Sequence, residues 1–304
     1  MVQEETDPLT PALFPDRPVD NPAPAVTIAG GVFAGESVTL NITFDLLDRM
    51  RAIAHRAGAE ILKVYRTDFA VERKADSSPV TAADRAAEAL ITGAIRAEVT
   101  DAFPIVAEEA FAQGHVPEVA GRPFWLVDPL DGTKEFVERN GEFTVNIALI
   151  ENGRPAAGGV HAPAIELTYW GGPMGSFRAK GSGAPAPISC RQAPAKGLIA
   201  MISRHHSTPE VDAYLDRLGV AERVVAGSSL KFCRIAEGAA DVYPRFGRTM
   251  EWDTAAGHAV LRFAGGRIAD RDGAELAYGK PDFENPHFIA EGPEDVTATC
   301  KFLR

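Results

Sequence analysis

The segment Asp128-Pro129-Leu130-Asp131-Gly132-Thr133 holds the densest group of chemically useful residues in the chain. A short apolar run at residues 124–127 leads into Asp128, Pro129 stiffens the turn, and a second acid follows at Asp131. Paired carboxylates in a tight turn at a strand's end suit a hard divalent cation such as Mg²⁺. Gly132 permits close backbone approach, and Thr133 is placed to open a helix whose first amides hold a phosphate oxygen. Ordinary turns use the same residue types, but an Asp cap needs one acid and this segment has two.

Three further acidic positions are ambiguous singly. Glu108-Glu109 follow an apolar run at residues 104–107, and adjacent acids repel unless a cation or solvent screens them. Asp253, in Trp252-Asp253-Thr254-Ala255-Ala256-Gly257, stands where a helix starts and also fits an N-cap. Asp84 ends the run Lys74-Ala75-Asp76-Ser77-Ser78-Pro79-Val80-Thr81-Ala82-Ala83-Asp84, in which Thr81 and Asp84 fit a capping box. Asp128 and Asp131 are three apart, not the two of a haloacid-type aspartyl nucleophile, which disfavours a phosphoenzyme. P-loop, Rossmann, serine-hydrolase and zincin signatures are absent from the sequence.

The elements that must position these residues follow from hydrophobic periodicity. Helices are expected at residues 43–66, 82–99, 209–218, 229–237 and 254–263. Strands are expected at 71–74, 104–107, 124–127, 142–150, 158–161, 167–170, 198–202, 223–226 and 241–243. Such alternation predicts layered sheets and helices. Residues 1–41 differ. Six of the 22 prolines fall within the first 24 residues, so an unstructured extension is expected there, with a short hairpin allowed by residues 26–28 and 38–42.

The chain of 304 residues carries 31 Lys+Arg against 42 Asp+Glu, a net charge of −11. That balance argues against a nucleic-acid polymer or a polybasic membrane clamp, both of which need a basic face. It leaves room for a small anion if cations lie between it and the protein. Cys190, Cys233 and Cys300 are few and far apart, which argues against a disulfide framework and for a reducing compartment. No apolar run approaches a membrane span, and the acidic N-terminal residues do not read as a secretory signal, so a cytoplasmic protein is expected.

Taken in order, K-x-D-x-S-P-V-T-x-A-D, E-E, W-x-V-D-P-L-D-G-T and W-D-x-A-A-G resemble the motifs of the inositol monophosphatase superfamily. The run at residues 125–150 is similar to the branch of bacterial CysQ-type 3′(2′),5′-bisphosphate nucleotidases. So are Ile202-Ser203-Arg204-His205-His206, Gly227-Ser228-Ser229-Leu230-Lys231-Phe232-Cys233 and Tyr243-Pro244-Arg245-Phe246-Gly247. The resemblance spans residues 45–290. It implies a layered αβαβα sugar-phosphatase fold of the α+β kind with two subdomains, residues 42–180 and 181–304, the second carrying Asp253 and the nucleotide-binding residues.

The resemblance also implies roles. Glu108, Asp128, the Leu130 carbonyl, Asp131 and Asp253 match ligands of two or three Mg²⁺ ions, with Glu109 helping to hold a further ion. Asp84, Thr133 and Glu108 match the catalytic set, in which Thr133 and Asp84 position and deprotonate the attacking water. Leu130, Asp131, Gly132, Thr133 and Asp253 border the cleaved phosphate. Ser228, Lys231, Arg245 and His206 match positions that bind the nucleotide, although a helix cap would explain Ser228 and solvated charge would explain the two cations. Lys74 fits a phosphate or acid-pairing role. The implied reaction is hydrolysis of adenosine 3′,5′-bisphosphate to AMP and phosphate, with the 5′-phosphosulfate analogue as a second substrate and a link to sulfur assimilation. The alternatives are an inositol or sugar monophosphatase of the same fold and a non-catalytic nucleotide sensor. The implied partners are the small nucleotide and no nucleic acid, with a monomer or homodimer in the cytoplasm or at its membrane face. Ala107 departs from the Ser or Gly frequent before the first Glu, and the proline-rich extension has no counterpart.

Overall fold

The computed structural model describes residues 26–33, 36–67, 72–73, 79–80, 82–206 and 208–293. The elements up to the first acids are β1 (Val26–Phe33), β2 (Glu36–Ile42), α1 (Phe44–Tyr65), β3 (Glu72–Arg73), β4 (Pro79–Val80), α2 (Ala82–Glu98), β5 (Ile105–Ala107) and α3 (Glu108–Ala112). Then come β6 (Phe124–Asp131), α4 (Thr133–Val137), β7 (Thr144–Glu151), β8 (Arg154–Ala162), β9 (Leu167–Gly172), β10 (Gly175–Lys180) and β11 (Ala186–Ile188). The remainder is β12 (Ile199–Ser203), α5 (Pro209–Leu218), β13 (Glu222–Ala226), α6 (Leu230–Ala236), β14 (Val242–Arg245), α7 (Glu251–Phe263), β15 (Arg267–Asp270) and β16 (Phe288–Glu291).

These elements form the expected layers. A seven-stranded sheet runs β11-β10-β9-β8-β7-β6-β5, and a five-stranded sheet runs β13-β12-β14-β16-β15. The first is antiparallel except where β5 lies parallel to β6. One face of that sheet buries Trp125, Val127, Ile147 and Leu149 with the apolar stripes of α1 and α2. Its other face buries Leu126, Ala148, Ile150 and Tyr169 with α6, α7 and the inner face of the five-stranded sheet. Val211, Tyr214 and Leu215 of α5 cover that second sheet's outer face. Burying a large apolar side chain contributes roughly 1.5–3 kcal/mol, so the three cores together can tolerate a cleft of repelling acids.

Local sequence explains the elements that matter for the site. Thr43 caps α1 by accepting from the Leu46 amide at 3.2 Å, and Leu46, Met50, Ile53, Ala57 and Ile61 line its buried face. α7 lies close on the central sheet because β8 and β9 present glycines to it. A Cβ on Gly158 would meet Ala259 at 2.6 Å, and one on Gly171 would meet the Ala259 carbonyl at 2.9 Å. The short hairpin allowed at residues 26–42 is present as β1 and β2, with Ile28 and Ile42 buried. Within the extension expected over residues 1–41, residues 26–33 and 36–41 therefore belong to paired strands; residues 1–25 and 34–35 lie outside the described residues.

Two readings of local structure change. β6 runs on through Asp131 rather than ending at Val127. Asp128 pairs with Asn146 and Asp131 with Thr144, which leaves one extra residue on β6, a bulge that re-aims the two acids. The amide of Leu130 donates to Asp128 Oδ1 at 3.0 Å across that bulge. α7 begins at Glu251 instead of residue 254, since acids in a first turn are favourable to the helix dipole. The chain leaves the seven-stranded sheet after β11 and enters the five-stranded one at β12.

Candidate active site

The acids expected from sequence converge. Asp84 lies in the first turn of α2, Glu108 opens α3, Asp128 and Asp131 flank the β6 bulge, and Asp253 lies in the first turn of α7. Asp128 is 1% exposed, and its carboxyl is pushed well above the usual range by burial and then by Glu108, Asp131, Asp253 and Asp84. Burial, Asp131 and Glu108 push Asp253 up to about 8, against the opposing pull of the Met250 amide and Arg245. Burial also raises Asp131, while Lys231, Ser229 and Asn146 pull it down. Acids this close and this buried are costly alone, and each perturbs the others through charge.

The backbone holds each acid in place. Glu88, one turn beyond Asp84 on α2, accepts from the amides of Glu109 at 2.7 Å and Ala110 at 2.9 Å. It caps α3 where Ala107, at the N-cap, has no side chain to do so. The departure at Ala107 is thus compensated from the neighbouring helix. Asp253 Oδ2 accepts from the Met250 amide at 2.8 Å, so it satisfies the N-cap amide from the third helical position instead of serving as N-cap. Glu109 is buried, with Arg85 Nε at 3.9 Å from its Oε2. Gly132 has φ 88° and precedes α4, and a Cβ there would lie 3.1 Å from Glu135 Oε2. Glycine is therefore required where the chain turns from Asp131 into Thr133.

A cavity of about 340 Å³ is lined by Glu108, Asp128, Leu130, Asp131, Thr133 and Asp253. Ser228, Lys231, Arg245 and His206 line the same cavity. Lys231 is buried, donates to the Ser228 carbonyl at 2.5 Å and the Ala226 carbonyl at 3.3 Å, and lies over the Tyr243 ring. Burial brings its ammonium down to about 8, against the pull of Asp131. Arg245 is 7% exposed. Its Nη2 donates to the Arg248 carbonyl at 3.1 Å, while Nε and Nη1 are buried with no hydrogen-bond partner among the described residues. Burial, then Arg245, Lys134 and Lys231, lower His206 to about 4, so it is neutral at ordinary pH. Ser228 takes a left-handed φ of 43° and donates its hydroxyl to the Glu142 carbonyl at 2.8 Å. Lys74 and Thr81 lie outside the described residues.

The donor set fits Mg²⁺: it is all oxygen, anionic, and burdened by repulsion that a cation would relieve. Among the described residues no three His, Cys, Asp or Glu side chains form a ready cluster for an ion, so the Leu130 carbonyl and water would complete the coordination of a bound Mg²⁺. Sequence reading missed Ser229, Asn146 and Glu88. Asn146 was discernible as an amide inside an otherwise apolar strand run, and Glu88 as the residue one turn after Asp84. Ser229 carried no separate signal, because its neighbour Ser228 drew the assignment.

The inositol monophosphatase family profile matches residues 45–299. The chain is 44% identical over 246 residues to the 3′(2′),5′-bisphosphate nucleotidase CysQ of Salmonella typhimurium, covering 80% of this chain and 98% of that one. It is 45% identical over the same length to CysQ of Escherichia coli K12, with the same coverage of each. The crystal structure of CysQ from Bacteroides thetaiotaomicron superposes with a TM-score of 0.68 at 36% identity, covering 83% of this chain and 98% of that one. With its layered fold and its cleft of converging acids, the chain belongs to the inositol monophosphatase family.

Proposed function

We propose that the protein is a Mg²⁺-dependent 3′(2′),5′-bisphosphate nucleotidase that hydrolyses adenosine 3′,5′-bisphosphate to AMP and phosphate, with the 5′-phosphosulfate analogue as a second substrate. The observation that carries this reading is one cavity lined both by the acids and by two buried cations, Lys231 and Arg245. A monophosphate needs only the acids and their ions. The unpartnered Nε and Nη1 of Arg245, beside Lys231, suit a second anionic group.

Glu108, Asp128, the Leu130 carbonyl, Asp131 and Asp253 would hold two ions, and Glu109 would assist a third. Bound Mg²⁺ would supply Lewis-acid charge to the phosphoryl oxygens and lower the pKa of water in the cleft. Thr133 Oγ1 accepts a hydrogen bond from the attacking water, and Asp84 takes its proton. Amides of Gly132 and Thr133 donate to a phosphoryl oxygen and stabilise the charge that develops there. Lys231 and Arg245 hold the 5′-phosphate, with neutral His206 and Ser228 at the nucleotide. The water attacks phosphorus directly as the bond to the 3′-oxygen breaks, and that oxygen takes up a proton from solvent to leave AMP and phosphate without a phosphoenzyme.

The same reading places the acids mainly in a subdomain over residues 42–180 and the nucleotide-binding cations in one over residues 181–304. Among the described residues no helix is long and apolar enough to cross a membrane. A small-molecule substrate in the cytoplasm is consistent with that finding. Phosphate release from adenosine 3′,5′-bisphosphate, inositol 1-phosphate and fructose 1,6-bisphosphate, with and without Mg²⁺, tests the proposal. Mg²⁺-dependent release from the first alone is expected. Preferential release from either of the others would reassign the substrate, and none from any would favour a sensor.

A further inference from the structure

Ser229 stands at the N-cap of α6, where a serine ordinarily caps its own helix, a bond whose loss costs about 1 kcal/mol. Here the side chain makes no such cap bond. Its hydroxyl lies 3.0 Å from Asp131 Oδ2 and 2.9 Å from the Asp253 carbonyl. It accepts from Asn146 Nδ2 at 2.8 Å, and that amide also reaches Asp131 Oδ2 at 3.3 Å. Thr144 Oγ1 donates to Asn146 Oδ1 at 3.1 Å and fixes the amide's orientation. Thr144, Asn146 and Ser229 are each no more than 1% exposed, so the chain of hydrogen bonds is shielded from water.

We infer that Ser229, oriented by Asn146, is the positioning residue that sets the spacing of Asp131 and Asp253 for divalent-cation binding. The inference rests on the metal-dependent reading above. Asp131 comes from the seven-stranded sheet and Asp253 from α7, and no covalent link near the site joins them. The hydroxyl and the Asn146 amide both engage Asp131 through Oδ2. Ser229 also lies two residues before Lys231, so the same bridge sets the register between the acids and the cation that faces them. A group that orients a ligating carboxylate acts on metal affinity, and loss of such a partner typically weakens binding about 10–100-fold.

The test is Mn²⁺ binding to chelator-stripped full-length protein, followed by electron paramagnetic resonance, with Mg²⁺-dependent phosphate release read in parallel. Ser229→Ala is expected to raise the Mn²⁺ Kd about tenfold or more. Its melting temperature in chelator should stay within a few degrees of the parent's. Its lost activity should return at high Mg²⁺, which a purely structural defect would not allow. Ser229→Thr, which keeps the hydroxyl, should restore the affinity. If the alanine variant does not fold, Ser229→Cys leaves no cavity, weakens the donor and should show the same rise. A Kd within twofold of the parent for the folded alanine or cysteine variant overturns the inference while leaving the metal reading intact. A parent protein that binds no Mn²⁺ overturns both.

Discussion

The acid side and the cation side of the cleft solve opposite problems. Among the acids, Glu108, Asp128, Asp131 and Asp253 come from α3, β6 and α7, with Asp84 of α2 close enough to act on Asp128, and burial raises the Asp128, Asp131 and Asp253 carboxyls. On the cation side, Lys231 and Arg245 come from α6 and β14 and hold themselves on backbone carbonyls. Among the described residues their side-chain hydrogen bonds go to the Ala226, Ser228 and Arg248 carbonyls rather than to Asp128, Asp131 or Asp253. Keeping them apart leaves two sites of opposite sign, one for metal ions and one for an anion, which is the arrangement a doubly phosphorylated molecule requires.

Removing charge from each side should therefore have different consequences. The largest effect is expected for Asp131→Asn, since a neutral amide cannot replace an anionic ligand. Phosphate release should fall by about a thousandfold or more, with an unchanged circular dichroism spectrum. An active variant would break the metal assignment. Next come Lys231→Ala and Arg245→Ala. Each should raise KM for adenosine 3′,5′-bisphosphate about tenfold or more while changing adenosine 3′-monophosphate hydrolysis far less. Equal changes for both substrates would remove these cations from recognition of the second phosphate. Glu88→Ala, which uncaps α3 beneath Glu108 and Glu109, should lower kcat by several-fold at subsaturating Mg²⁺. No change in the Mg²⁺ dependence would confine Glu88 to helix capping.

The smallest effect concerns stability away from the cleft. His161 and His258 are lowered to about 3, mainly by burial. The unfolded chain takes up these protons near pH 6.5, so it binds more protons than the folded state between about pH 6.5 and 3. Stability present above that window should be lost as pH falls through it. Melting curves from pH 7 to 4 check this, and a shallower pH slope is expected for the double variant His161→Gln, His258→Gln. An unchanged slope would contradict the burial of neutral imidazoles as its cause.

The same contrast explains what was legible in the sequence. The helices α1, α2 and α5 were readable because a 3.6-residue apolar period survives along each. The short strands β10, β11, β15 and β16 were not, since their order is set by pairing with distant partners. The acids were readable because a doubled carboxylate has few ordinary explanations. The bulge in β6 was not, because it exists only against the register of β7. Ser229, Asn146 and Glu88 escaped notice for a related reason: each acts on an acid or its backbone rather than on a ligand, and only geometry reveals that.

The claim that two opposed sites serve one substrate is tested most directly by comparing kcat/KM for adenosine 3′,5′-bisphosphate and adenosine 3′-monophosphate in Mg²⁺. The arrangement predicts a strong preference, about a hundredfold, for the bisphosphate, largely abolished in the double variant Lys231→Ala, Arg245→Ala. Equal kcat/KM for the two nucleotides in the parent protein would contradict it.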